Sequence, residues 1–190
     1  MDRKQVSCGG MARRRLLTAG GALMLAGLPS PAFAGVLEER ERRLDFIQVR
    51  TGEVLSAAYW RGGRYRPAAL DRISYLLRDV PSGEVRPIDP RLFDLLYGLR
   101  RTLRSDAPFL VVSGYRTPRT NRILAKRKNG VARHSLHMEG LAVDVLLPNR
   151  PLDDLAEVAW SFRAGGVGYY PASHFVHLDV GPVRRWTAEG

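Results

Sequence analysis

Cysteine is almost absent from this chain. Cys8 is the only one in 190 residues, and it stands ahead of an apolar run that starts near Ala19. Whatever folds after that run has no disulfide, no cysteine metal ligand and no thiol nucleophile. Long hydrophobic runs are missing as well. The stretch from about Ala19 to Leu28 falls far short of the ~20 residues that cross a bilayer. There is no internal repeat and no low-complexity tract. Gly165-Gly166-Val167-Gly168 is not followed by Lys-Ser/Thr, which excludes a phosphate loop and leaves a flexible approach to the last strands. Acidic residues are outnumbered, 19 against 30 Lys and Arg, for a formal net charge of +11. Histidine is scarce too, with four in all.

The N-terminal segment has the layout of an export signal. Arg13-Arg14-Arg15 precedes Leu16-Leu17 and the apolar run, and Ala32-Phe33-Ala34 offers a small-x-small cleavage site. This is the pattern of a secretory signal peptide over residues 1–34, and the arginine cluster points to the twin-arginine route. The alternative is an uncleaved anchor, disfavoured by the shortness of the run and its glycines Gly20, Gly21 and Gly27. Residues 35–190 then form one domain, long enough for a core of its own. The leader carries Arg3, Lys4, Arg13, Arg14 and Arg15 and the acid Asp2, so its removal lowers the charge from +11 to +7.

The core is legible as stripes. Leu44 to Val49 and Val54 to Trp60 read as two strands joined at Thr51-Gly52. Pro67 opens a helix with Leu70, Ile73, Leu76 and Leu77 on one face. Asp89-Pro90 is an N-cap and first-turn proline for a helix bearing Leu92, Phe93, Leu95, Leu96, Leu99 and Leu103. Phe109 to Ser113 is a short buried strand, and Thr117-Pro118 caps a helix to about Lys128, stopped by Asn129-Gly130. A further helix, Pro151 to Phe162, packs Leu155, Val158, Ala159 and Phe162. The basic stretch Arg119, Arg122, Lys126, Arg127, Lys128 and Arg133 reads as a solvated helix face.

The four histidines fall into two pairs, His134 with His137 and His174 with His177, each spaced i,i+3. Histidines placed for packing would be scattered, and neutral imidazole is the commonest metal ligand. Leu141 to Leu147 alternates and reads as a strand, with Asp144 on the face of Ala142 and Leu146. Phe175 to Val180 reads as a strand with His177 and Asp179 on the face opposite Val176 and Leu178. Cβ atoms directly opposed on neighbouring strands lie roughly 4.5–5.5 Å apart, so Asp144 and His177 share one ion if these strands pair. His137 is seven residues before Asp144, which one regular strand would put on the other face. Gly140 supplies the break that re-aims it. Two His and one carboxylate with an open fourth position is the plan of a hydrolytic zinc site. The metal set expected here is His137, Asp144 and His177, holding one Zn²⁺ per chain.

Ser135-x-His137-x-x-Gly140-x-Ala142-x-Asp144, followed by a strand carrying the last His, resembles the zinc D-alanyl-D-alanine carboxypeptidases and their murein endopeptidase relatives. The wider group includes lysostaphin-type enzymes and the hedgehog signalling domain. Ser113-Gly114-Tyr115-Arg116-Thr117-Pro118, Val131 to His137 and Gly181-Pro182-Val183-Arg184-Arg185-Trp186 look closest to the YcbK-type branch, exported murein endopeptidases. The resemblance covers roughly residues 40 to 186. It implies an α+β fold with a small antiparallel sheet and flanking helices. It also implies peptidoglycan as partner, Arg116 contacting the substrate and the developing oxyanion, and Ser135 beside the substrate. Nucleic acid is the usual first guess for a basic chain, but export disfavours it. Membrane contact is expected only during export, and the chain is expected to be a monomer.

One position departs from the resembled pattern. The carboxypeptidase relatives carry Glu or Asp three residues before the last zinc ligand, and His174 stands there. Because imidazole can act as a base near neutral pH, His174 is the expected general base. Asp179 is expected to orient the ring of His177 as a supporting carboxylate. A metal-bound wall-binding protein without turnover, or a carboxypeptidase trimming stem peptides, stays open beside the endopeptidase.

Overall fold

In a computed structural model, residues 39–127 and 132–188 are described. The leader read over residues 1–34, Cys8 within it, and the helix stop at Asn129-Gly130 lie outside the described residues. The chain runs through β1 (Glu41–Gln48), β2 (Val54–Arg61), β3 (Arg64–Tyr65), α1 (Pro67–Leu76), α2 (Pro90–Thr102), β4 (Phe109–Ser113) and α3 (Pro118–Arg127). A 3₁₀ turn (Leu136–Glu139), β5 (Ala142–Leu146), α4 (Leu152–Phe162), β6 (Gly166–Tyr170), β7 (Phe175–Asp179) and β8 (Arg184–Thr187) follow. None of the described helices is long and apolar enough to cross a membrane.

The class is α+β, but the sheet is neither small nor purely antiparallel. It has eight strands in the order β3-β2-β1-β4-β5-β7-β6-β8. β1 pairs with β4 in parallel, as does β6 with β8. Parallel neighbours need a long crossover, and the segment carrying α1 and α2 provides it between β1 and β4. The expected flexible glycine stretch is strand β6. Its glycines are not hinges: a Cβ on Gly168 would lie 2.5 Å from the Trp186 ring, so the residue is small because β8 lies against it.

The stripes form the expected core. Leu44, Phe46, Ile73, Leu77, Leu92, Phe93, Leu96, Leu99, Phe109 and Val143 are buried together. Proline stands in the first turn of both α1 and α2, and the Asp89 carboxylate accepts the Arg91 N–H at 2.9 Å. α1 packs on β2, α2 on β1 and α4, and α4 on β6 and β7.

Two local structures aim the chain at β4 and β5. Gly140 ends the 3₁₀ turn at φ 73°. A Cβ there would sit 2.5 Å from the Pro87 carbonyl oxygen, and its own carbonyl accepts the Asp89 N–H at 3.0 Å. The second is the turn after β4. The Tyr115 N–H donates to the Leu77 carbonyl at 2.7 Å. The buried Asp79 carboxylate accepts from Thr117 N–H at 3.2 Å, Thr117 Oγ1 at 2.7 Å, Thr120 Oγ1 at 2.6 Å and Ser82 Oγ at 2.9 Å. These bonds hold its carboxyl below the usual range against the opposing effect of burial. Asp79→Ala strands several buried donors at once, so it is expected to destabilise the fold by about 2–3 kcal/mol, read as a lower urea midpoint at unchanged slope.

Candidate metal centre

The register of the central strands sets the site. β5 and β7 are antiparallel neighbours, and Asp144 lies directly opposite His177. Val143 and Val145 alternate with Asp144 and turn into the core. The 3₁₀ turn brings His137 to the same point. His137 Nε2 is 3.1 Å from Asp144 Oδ1 and 3.1 Å from His177 Nδ1, and His177 Nδ1 is 2.9 Å from Asp144 Oδ1. The three side chains offer ligand atoms all within 4.8 Å of one another. All three are buried, His137 to 1 % and Asp144 to 2 % exposure.

The outer partners decide what those atoms are. His137 Nδ1 lies 2.7 Å from the Gly114 carbonyl, which can only accept, so the proton sits on Nδ1 and the lone pair on Nε2. His177 Nε2 lies 3.1 Å from Asp179 Oδ2, which puts its proton on Nε2 and its lone pair on Nδ1. Two lone pairs and a carboxylate oxygen therefore face one another. Such a cluster could hold a metal ion. Burial pushes His137 down, further than Asp144 can restore. For His177 burial also acts downward, but Asp144 and Asp179 on its two sides outweigh it and raise the ring. Burial opposes ionisation of Asp144 too, yet His137, His177 and Arg116 hold it well below the usual carboxylate range.

Arg116 and Asp179 support the ligands. The Arg116 guanidinium donates from Nε to Ser113 Oγ at 2.8 Å and pairs through Nη2 with Asp144 Oδ2, the oxygen turned away from the two rings. The Arg116 N–H donates to the His137 carbonyl at 3.2 Å. Asp179 is fully buried. Besides the His177 ring it accepts from Gly166 N–H at 3.0 Å, Gly181 N–H at 2.9 Å and Arg184 Nη2 at 2.6 Å. Burial acts against these bonds, but together they bring its carboxyl down to about 2. Asp179→Asn is expected to weaken metal binding about 10–100-fold, measured by competition with a coloured chelator, because the His177 ring loses its charged partner.

A cavity of about 490 Å³ opens onto the three ligands. Ser135, expected at the substrate, lines it, as do His134, Arg50, Arg116 and Arg184. Its far wall is aromatic: Tyr170 and Phe175 are stacked with centroids 4.5 Å apart, and Trp186 Nε1–H donates to Tyr170 Oη at 3.0 Å. His174 is not brought there. It is exposed, at φ 53° in the turn before β7, and is not among the residues lining the cavity. The expectation for His174 came from the resembled pattern, which places an acid three residues before the last His; here that position is a left-handed residue in the turn ahead of β7. The Gly114 carbonyl carried no sequence signal, being backbone. Arg184 stands in the Gly181 to Trp186 segment, where the sequence pattern suggested no role for it. A separate apolar cavity of about 440 Å³, lined by Val54, Leu55, Tyr75 and Leu76, holds no convergent donor set.

A family described as "Peptidoglycan L,D-endopeptidase MepK" matches residues 37–186. This chain belongs to that family. The peptidoglycan L,D-endopeptidase MepK of Escherichia coli K12 is 43 % identical over 175 residues, which cover 92 % of this chain and 96 % of the relative. The Shigella flexneri protein of the same name matches to the same extent. A probable peptidoglycan L,D-endopeptidase MepK of Haemophilus influenzae is 39 % identical over 176 residues, covering 92 % of this chain and 95 % of the relative.

Proposed function

We propose that this chain is an exported zinc peptidase that hydrolyses amide bonds in peptidoglycan peptides, opening crosslinks as a murein endopeptidase. The observation that carries the reading is the set of three facing lone-pair donors, His137 Nε2, Asp144 Oδ1 and His177 Nδ1, at the floor of a cavity. Family membership supports the chemistry, and nearly full coverage of relatives named for this reaction supports the substrate. The sheet and helices fit a D-Ala-D-Ala-peptidase and hedgehog-like fold. The leader read over residues 1–34 supports a periplasmic domain spanning residues 35–190 and reaching the wall after cleavage; we take that domain to be a monomer.

Zinc bound by His137, Asp144 and His177 would supply a Lewis acid that acidifies water and polarises the scissile carbonyl. The chain's own groups do the rest. Asp179 and the Gly114 carbonyl keep the two imidazoles in the ligating tautomers. Arg116, fixed by Ser113, directs positive charge at the place where the carbonyl oxygen becomes negative. Ser135 and the aromatic wall hold the peptide. A proton acceptor must take the proton of the attacking water and return it to the leaving amine. Among the described residues Asp144 is the only acid lining the cavity, and it is already engaged; an imidazole is therefore the proposed acceptor, and His134 lines the cavity where His174 does not.

Digestion of defined crosslinked muropeptides, with product masses read, tests the function. Zinc-dependent cleavage of a peptide crosslink is the expected result. Sacculus binding with no product under any metal condition would make the chain a wall-binding module instead. In the same assay His134→Ala is expected to lower turnover about 10²–10⁴-fold with zinc retained. His174→Ala should stay near wild type. The reverse ranking would return the base to His174.

A further inference from the structure

The cavity is cationic beyond what its own acids can balance. Among the described residues three arginines line it, Arg50, Arg116 and Arg184, against one carboxylate, Asp144. Two of the three are committed. Arg116 is paired with Asp144 and bonded to Ser113, and Arg184 is paired with the buried Asp179 beneath the wall. Arg50 is different. It is exposed, and no carboxylate lies within ion-pair distance of its guanidinium among the described residues. Its backbone is nonetheless held. The Arg50 N–H donates to the buried Gln48 Oε1 at 3.1 Å. The adjoining Val49 N–H donates to the Val111 carbonyl of β4 at 3.0 Å, and Gly52 N–H closes the hairpin onto Gln48 at 2.8 Å. A turn fixed to the strand beside Ser113 thus presents an unpaired guanidinium at the mouth of the site. The opposite wall, Tyr170, Phe175 and Trp186, is aromatic.

We propose that Arg50 is a specificity-determining residue that binds a free carboxylate of the substrate peptide next to the scissile amide. Guanidinium recognises carboxylate through two parallel N–H···O bonds. The aromatic wall takes the apolar part of the same peptide, so the substrate lies across the cavity with its acid on the β1–β2 hairpin and its amide over His137, Asp144 and His177. This rests on the peptidase reading above and adds the feature by which the site selects its peptide.

The test uses two muropeptides that differ only in one group beside the scissile bond, a free carboxylate in one and a carboxamide in the other. Binding to the zinc-loaded full-length protein is measured by calorimetry, and kcat and KM are measured separately. Wild type should prefer the carboxylate about 10–100-fold, as a charge-assisted pair lost to a neutral group would give. Most of that preference should lie in binding and KM. Arg50→Gln should bring the two peptides to within about 2-fold, Arg50→Lys should keep part of the preference, and Arg50→Glu should reverse it. Circular dichroism and zinc content guard against a folding defect in any single variant. Equal binding of both peptides by wild type, or undiminished preference in Arg50→Gln and Arg50→Glu, would overturn the assignment. Discriminating binding by Arg50 without cleavage by wild type would instead sink the peptidase reading and leave Arg50 as a carboxylate site.

Discussion

His177→Ala is expected to bind no zinc and to release no measurable muropeptide. The ring supplies one of three donors, and its loss leaves Asp144 Oδ1 facing only His137 Nε2 in a buried site. Two donors do not hold a hydrolytic zinc against water. The loss of Lewis-acid chemistry should cost at least about 10³-fold in turnover, since several kcal/mol of barrier lowering go with it. Stripping the wild-type protein with a chelator should reproduce the defect, and one equivalent of zinc should reverse it there but not in the variant. Metal content by mass spectrometry separates the outcomes. A His177→Ala protein that carries one zinc per chain would break the ligand assignment.

Arg116→Ala should behave differently, keeping its zinc and losing turnover about 10²–10³-fold, the usual consequence of removing an oxyanion donor. The side chain spends Nε on Ser113 and Nη2 on Asp144, and a guanidinium has five N–H donors. Donors therefore remain for the substrate. Arg116→Lys should not rescue, because a single ammonium cannot bridge Ser113 and Asp144 and still reach the carbonyl. The loss should appear in kcat with little change in KM, since the interaction strengthens only as charge develops. A variant that loses zinc along with activity would show that Arg116 serves mainly to anchor Asp144.

The clustering of His137, Asp144 and His177 was legible in the sequence because each of the three stood out against its neighbours. Asp144 interrupts an apolar strand, His177 alternates with core residues, and Gly140 announces the change of direction before them. Alternation set the faces of Asp144 and His177, and the condition for them to meet, that their strands pair, is met by the observed register. The mixed sheet was not legible. β6 and β8 lack an apolar alternation, since glycine in β6 yields to Trp186 and Asp179, and in β8 Arg184 covers the buried carboxylate while Arg185 pairs with the exposed Glu157. Nor could spacing along the chain show that His174 adopts a left-handed backbone and is not among the residues that line the cavity. Backbone groups such as the Gly114 carbonyl leave no trace in residue identity, although they settle which nitrogen of His137 is free.

The cross-strand pairing of Asp144 and His177 bears on which changes in chain length the protein can accept. Sliding either strand by one residue sends every side chain to the opposite face. A single inserted or deleted codon between Ala142 and Leu146, or between Phe175 and Asp179, would therefore bury a ligand in the core and expose a valine where the ion belongs, even with all three ligands still encoded. The exposed turn from Pro171 to His174 lies outside that pairing. Lengthening it leaves the opposed residues opposed, so this is where descendants of the sequence are free to gain or lose residues and reshape the rim of the cavity without disturbing its floor.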